Sequence, residues 1–169
     1  MDESTPRRKR LTREERREQT RRRLMESAME LFAVHGYEGT AVEEFAEHAG
    51  YSRGAFYSNF ANKEELMKAI IAEGFDSDIE NLRRMESIEG TDELSTAYQQ
   101  LAEAFYGNPE NLLWMLEFQL SAVRYPELRD AYAAQHRRLR EGIRHLLVTH
   151  LQWQGHEDAE AYREYADLF

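Results

Sequence analysis

The stretch YEGTAVEEFAEHAGYSRGAFYSNFANKEEL, residues 37–66, decides the fold. It packs two helix starts, two helix stops and a short glycine-bearing helix into thirty positions. Thr40 and Glu43 stand three apart, the spacing of a capping box, which predicts a helix from Ala41. Val42, Phe45, Ala46 and Ala49 recur at i, i+3, i+4 and i+7, one buried helical face. Gly50 supplies the left-handed residue that ends such a helix. Ser52 is placed to cap the next, over Arg53–Asn59. Asn62 and Glu65 repeat the capping spacing and open a third helix at Lys63.

The short middle helix is an odd core element. Gly54 in its interior costs about 1 kcal/mol against alanine. The small Gly54-Ala55 pair lets another surface come close, and Arg53, Tyr57, Ser58 and Asn59 bring hydrogen-bonding groups. A helix of this kind suits the DNA major groove, where the second helix of a helix-turn-helix meets base edges. The plainer alternative is a small helical corner whose polar groups face solvent.

Size and composition narrow the classes. At 169 residues the chain is long enough for one compact unit or two small helical ones. Its 41% hydrophobic and 32% charged content is that of a folded globular protein. Zero cysteines exclude a disulfide framework and cysteine-ligated zinc, and fit a reducing compartment. No apolar segment of signal-peptide type follows the N-terminal arginines, and no run approaches the roughly 18 apolar residues of a membrane span. A cytoplasmic protein without a membrane partner is the expectation.

A net charge of −10 is at first sight wrong for a DNA-binding protein. Its distribution removes the conflict. Residues 1–68 hold 13 basic and 13 acidic side chains, and residues 69–169 the remaining 9 and 19. Within the first part, residues 7–23 carry ten basic against three acidic residues. Phosphate neutralisation depends on local cation density, so a basic arm on an acidic body remains compatible with DNA, and the body's charge helps orient that arm. The bland reading of the arginine run is a solvated charged face; its position beside the helix-turn-helix pattern favours DNA contact.

Along the chain, residues 1–10 read as a disordered basic arm, 11–68 as a helix-turn-helix domain and 69–169 as a second helical domain. Thr12 and Glu15 open a first helix near Leu11–Arg13, with Leu24, Ala28, Leu31 and Phe32 as its apolar face and Gly36 as its stop. The Lys63 helix carries Leu66, Ala69 and Ile70, then Phe75, Ile79 and Leu82 in a shifted phase after Gly74, and joins the two halves. Residues 86–90 read as a loop. Thr91 is placed to cap a helix with Leu94, Ala97, Leu101 and Phe105 inward, and Gly107-Asn108-Pro109 ends it and starts the next. Residues 112–120, LLWMLEFQL, are apolar nearly all round, so that helix is buried on several sides or meets a partner or ligand. Tyr125-Pro126 restarts the chain into a long helix marked by Leu128, Tyr132, Leu139, Ile143 and Leu146, running to about Leu151 before a loop at 152–156. A last segment carries Ala159, Tyr162, Tyr165 and Phe169, with no stop signal at its end. The fold class is all-α.

Residues 22–66 resemble the TetR family of bacterial transcriptional regulators. Leu31-Phe32, Gly36-Tyr37, Thr40, Val42, Ala46, Ala49-Gly50, Ser52, Gly54, Tyr57, Phe60, Lys63 and Leu66 carry the resemblance. Departures are small: Phe45 where isoleucine is commoner, Tyr51 for valine, and Asn59 for histidine. A weaker similarity to AcrR-like and BetI-like members runs through LLWMLEFQLSAVRYPELRDAYAAQHRRLREGI. The resemblance implies a three-helix DNA-binding head, a linking fourth helix, and a helical effector and dimerisation domain. It implies a ligand-responsive regulator, most often a repressor, that binds palindromic double-stranded operator DNA as a homodimer and leaves it when a small molecule binds. Members usually run longer, so this chain is expected to stop inside the dimer bundle.

Carried over position by position, the resemblance implies that Arg53, Gly54 and Ala55 face base edges. Arg53 has the fork for guanine and Ala55 a methyl for thymine. It assigns Tyr57, Ser58, Asn59 and Lys63 to phosphates. Thr40 and Ser52 stand at helix N-termini, where free amides favour anions, although capping alone accounts for both. Arg21, Arg22 and Arg23 are candidates for the minor groove. Phe56 and Phe60 read as packing residues, while Tyr37 stays open between packing and a phosphate. Phe105, Leu112, Trp114, Met115, Phe118, Tyr125, Tyr132 and His136 are candidates for the wall of a pocket taking a small apolar or aromatic effector. Residues of these types at helical spacing are more often plain core.

No cofactor, metal or catalytic residue is expected. No histidine has a glutamate three residues before it, so a di-iron bundle is not indicated, and zincin, P-loop and dinucleotide-binding patterns are absent. His145 and His150 are five apart, on different faces of one helix. Two alternatives remain: a DNA-binding adaptor regulated by a protein partner instead of an effector, and an all-helical enzyme indifferent to DNA.

Overall fold

The computed structural model describes the backbone of residues 11–88, 90–107 and 109–153, and the side chains of all these except 91, 94, 101, 102, 104–106, 110, 111 and 151–153. The arm at 1–10, the inward side chains proposed for Leu94, Leu101 and Phe105, and the last segment with Ala159, Tyr162, Tyr165 and Phe169 lie outside that description. Seven helices and no strand occur among the described residues.

Helix α1, Arg13–Gly39, starts on the predicted capping box: Thr12 Oγ1 accepts from Glu15 N at 3.1 Å and Glu15 Oε2 from Thr12 N at 2.6 Å. Its first turns are solvated on every side, and only from Leu24 onward does it bury a face, with Ala28 and Phe32. It breaks at Gly36, whose φ of 78° lies in the left-handed region that glycine adopts without a Cβ penalty.

Helix α2, Val42–His48, begins one residue later than its sequence spacing predicts, and its cap is different. Glu44, not Glu43, reaches back to the amide of Ala41 at 2.8 Å. Thr40 instead turns inward and is fully buried; its hydroxyl donates to Gly36 O at 2.9 Å. A buried hydroxyl must find an acceptor locally, and the broken end of α1 offers one. At the far end the helix closes in a complete Schellman motif. Tyr51 N donates to Ala46 O and Gly50 N to Glu47 O, both at 2.8 Å, with Gly50 at φ 78°.

Helix α3, Arg53–Tyr57, is too short to stand alone and is anchored by Phe56, fully buried against Phe45 and Phe60. Helix α4, Lys63–Glu86, is capped by Asn62 Oδ1 accepting from Glu65 N at 2.8 Å and passes through Gly74 as one helix. Helix α5, Thr91–Tyr106, has Gly90 rather than Thr91 at its cap position. Helix α6, Pro109–Arg124, has its proline at the first position, as predicted. Helix α7, Pro126–Trp153, continues past Leu151, where a loop was expected. It runs alongside α4, so closely that a Cβ on Gly142 would stand 3.1 Å from Leu82 Cδ1.

One core cluster draws on both sides of position 68. Phe32, Phe45, Phe56, Phe60 and Leu66 belong to it together with Phe118 of α6 and Leu128 of α7. A second, smaller cluster joins Leu82, Met85 and Leu146. Helix α6 is not buried on several sides: Leu113, Leu116, Leu120 and Val123 form an exposed stripe.

The head is fastened to the body at the break in α1. Glu117, the one charge in an otherwise apolar stretch of α6, accepts the backbone amide of Tyr37 at 2.7 Å. Its carboxylate lies within 3.8 Å of where a Cβ of Gly36 would sit. Tyr125 stacks edgewise on Tyr37 at 5.3 Å between centroids and donates to Glu38. From the other side Lys63 donates to Tyr37 O at 2.7 Å and Thr40 O at 3.0 Å, its ammonium 4.5 Å from the Tyr37 ring centre. Burial, with Glu64 nearby, pushes the Tyr37 phenol up to about 12, and burial lowers Lys63.

Candidate nucleic-acid interface

The outer side of the head is built by the Schellman turn and the cap that follows it. Ser52 Oγ accepts from Ala55 N at 3.2 Å and fixes the start of α3. With Phe56 buried on one side of this short helix, Arg53, Gly54, Tyr57 and Ser58 stand exposed and Ala55 half-buried. Gly54 is not required by any internal crowding: a Cβ there would meet only Ser52 Oγ, at 3.7 Å. Its φ does not need a glycine either, since the positive-φ glycines are Gly36 and Gly50.

Arg53 is held rather than free. Its Nη1 bonds Glu43 Oε1 on α2 at 2.8 Å, and its guanidinium carbon lies 5.4 Å from the Tyr57 ring centre. The Tyr57 side chain first, and the Glu43 carboxylate second, raise the proton affinity of this exposed guanidinium. Glu43 was not among the residues singled out from sequence, because its spacing made it a cap.

Other candidates fall differently. Thr40 is buried, so its hydroxyl is not presented to a duplex. Lys63 spends two donors on the carbonyls of the α1–α2 joint. Asn59 faces its own helix, with Nδ2 on Ala55 O at 2.8 Å and a buried Oδ1 that no donor meets. Ser58 donates to Gly54 O at 2.9 Å from an exposed position. Arg21 packs over Phe60 at 4.2 Å and donates to Asn59 O at 3.2 Å, which lays the arginine run of α1 beside the turn after α3. Arg22 and Arg23 remain exposed, on a surface of α1 that also carries Glu14, Glu15, Glu18 and Glu26.

Four of the eight residues proposed to line an effector pocket come together. Trp114 stacks on Phe118 at 5.9 Å, Phe118 meets Tyr132 at 5.1 Å, and Tyr132 meets His136 at 5.5 Å. Phe75 of α4 joins them at 5.9 Å from Tyr132, although its sequence spacing marks it only as part of a helix stripe. Met115 and Leu112 are half-buried nearby on α6, Tyr125 sits at the joint instead, and Phe105 lies outside the described side chains.

A capped short helix after a tight turn, with a bare glycine on its open side and an arginine-rich helix against its end, is a helix-turn-helix head on an α-helical body. Residues 24–70 match the profile described as bacterial regulatory proteins, tetR family. The transcriptional repressor AcnR of Corynebacterium efficiens is 43% identical over 54 residues, 32% of this chain and 29% of that protein. The stretch that aligns thus spans under a third of the length of such curated relatives. A TerR/AcrR-family regulator from Aquifex aeolicus superposes with a TM-score of 0.64 at 25% identity, covering 88% of this chain and 83% of that one. A regulator from Saccharomonospora viridis in complex with choline shares the fold at a TM-score of 0.64 and 20% identity, over 89% and 82% of the two chains. Residues 24–70 are thus similar to the DNA-binding domain of TetR-family regulators, and the chain as a whole shares the fold of solved members of that family.

Proposed function

We propose that this chain is a ligand-responsive repressor that binds palindromic operator DNA as a homodimer and is released by a small apolar or aromatic effector. The observation that carries the DNA-binding part is the open face of α3. The helix keeps a costly glycine that nothing among the described residues crowds. That is the signature of a surface awaiting close approach by another backbone. Arg53 reads guanine, Ala55 and Gly54 admit the groove wall, and Tyr57, Ser58, Ser52, Arg22 and Arg23 meet phosphates. A repressor of chromosomal genes acts in the cytoplasm and needs no catalysis.

Release follows from the joint at Gly36. Trp114 and Phe118 flank Glu117 on α6, so an effector that displaces those rings moves the carboxylate that holds the head. The effector need only bind the head spacing unsuited to the operator better than the other. The choline complex of the Saccharomonospora regulator supports a body that takes small molecules. A second reading, an adaptor governed by a protein partner, draws on the exposed apolar stripe of α6 and the acidic body. Compounds that release DNA favour the first, and a partner that covers Leu116 the second.

The decisive experiment is selection of genomic fragments by the purified chain, followed by titration of the recovered duplex. Arg53→Ala is expected to cost about 1–3 kcal/mol on that duplex and to relax specificity at one base pair. Equal losses on selected and random DNA remove its base-reading role.

A further inference from the structure

Two neighbouring glutamates open α2, and they do different work. Glu44 caps its own helix through the amide of Ala41. Glu43 crosses to α3 and bonds Arg53 Nη1 at 2.8 Å, although both side chains are more than half exposed. A carboxylate on the DNA-facing side of a head repels phosphates, so for simple duplex affinity it is misplaced. What it does instead is restrain the guanidinium, between its own oxygen and the Tyr57 ring 5.4 Å away. An arginine has five donors in a rigid fork, and one bond to Glu43 leaves the remaining fork free for a base edge. Its charge, however, is locally cancelled, and phosphate attraction depends on that charge.

We propose that Glu43 is a specificity-determining residue of the DNA interface: it orients Arg53 for guanine and denies Arg53 to phosphates, raising the ratio of operator to random binding. The proposal rests on the DNA-binding reading of α3. It assigns Glu43 no contact of its own with DNA: a carboxylate is repelled by phosphates and by guanine's acceptor edge, and this one is already engaged by Arg53. Its action is through Arg53 alone.

The test uses the full chain and three duplexes of equal length: the fragment recovered by selection, the same fragment with the guanine read by Arg53 replaced, and mixed sequence. Glu43→Gln keeps an acceptor oxygen but removes the charge. It is expected to tighten mixed-sequence binding about 3- to 10-fold and to steepen its salt dependence by about one counterion. The selected duplex should change less than about 2-fold, so the ratio falls, and the penalty for the replaced guanine shrinks with it. In an Arg53→Ala background the same substitution should leave discrimination untouched. Glu44→Gln removes an equal charge next door and should tighten all three duplexes alike. The proposal is overturned if Glu43→Gln tightens selected and random DNA equally, if it matches Glu44→Gln, or if its effect on discrimination persists without Arg53. Failure of the underlying reading looks different: the unaltered chain would then retain no duplex at low salt, before any variant is made.

Discussion

A Cβ added at Gly54 would touch one atom outside its own helix backbone, Ser52 Oγ, at an ordinary 3.7 Å. The backbone there is helical, so alanine fits without strain and restrains the unfolded chain. Gly54→Ala should therefore stabilise the fold by about 0.5–1 kcal/mol in urea titration. The same methyl would stand between α3 and a groove, and operator affinity should fall by about 1–3 kcal/mol, comparable to one wrong base pair. Opposite signs are the point: tighter folding with unchanged DNA binding would show that nothing approaches Gly54. The caps at Thr12, Ser52 and Asn62 were legible in sequence because each acts over three residues, a distance the chain itself fixes. The fates of Lys63, Arg21, Thr40 and Asn59 were not. Lys63 and Arg21 are decided by carbonyls and a ring that the fold brings to them from 26 and 38 residues away, and Thr40 and Asn59 by turning back to carbonyls four residues earlier.

Helices were readable wherever one face is apolar, so α1 to α4 and α6 start at or within a residue of their signals. Gly90 taking the cap of α5, and α7 continuing to Trp153, were not, because Thr and Gly are near-equal N-cap residues and Gln152 does not oppose a helix. The lone charge in α6 was the sequence signal for the joint, and no spacing rule names its partner 80 residues away. Glu117→Ala removes the acceptor of the Tyr37 amide and should cost about 1–3 kcal/mol, the penalty of an unpaired buried donor. Glu117→Gln keeps an acceptor and should cost less. Amide hydrogen exchange at Tyr37 is the specific readout: full protection in the alanine variant would mean the carboxylate does not hold the head. In α4, burial pushes the Asp78 carboxyl up to about 6 from an ordinary 3.8. The folded chain then binds this proton more tightly than the unfolded one. Its stabilising contribution is full below about pH 4 and is lost as pH rises through about 6. Asp78 is only partly buried, so about 1 kcal/mol is at stake after solvent screening. Asp78→Asn should abolish that contribution to the slope and be the more stable form at about pH 7; an unchanged pH profile would refute the assignment.

At the scale of the molecule, the separation of a basic arm from an acidic body is written in the sequence, whereas the continuity of the head's core with the body's is not. Hydrophobic period marks which face of each helix is buried but not against what. The cluster that contains Phe32, Phe45 and Phe56 also contains Phe118 and Leu128, with Trp114 and Tyr132 packed against it. A head that shares its core with the body cannot lose the body's contribution and keep its own stability. Phe118→Ala, deep in α6, is expected to cost about 3–5 kcal/mol. Were head and body independent, that loss would fall on the body alone, and amides of α1 to α3 would exchange as before. With the shared cluster, protection in α1, α2 and α3 should fall together with that in α6 and α7, in one cooperative transition followed identically by tryptophan fluorescence and far-ultraviolet dichroism. Melting of the body ahead of an intact head would break this continuity, and with it the proposed route from an effector on α6 to α3.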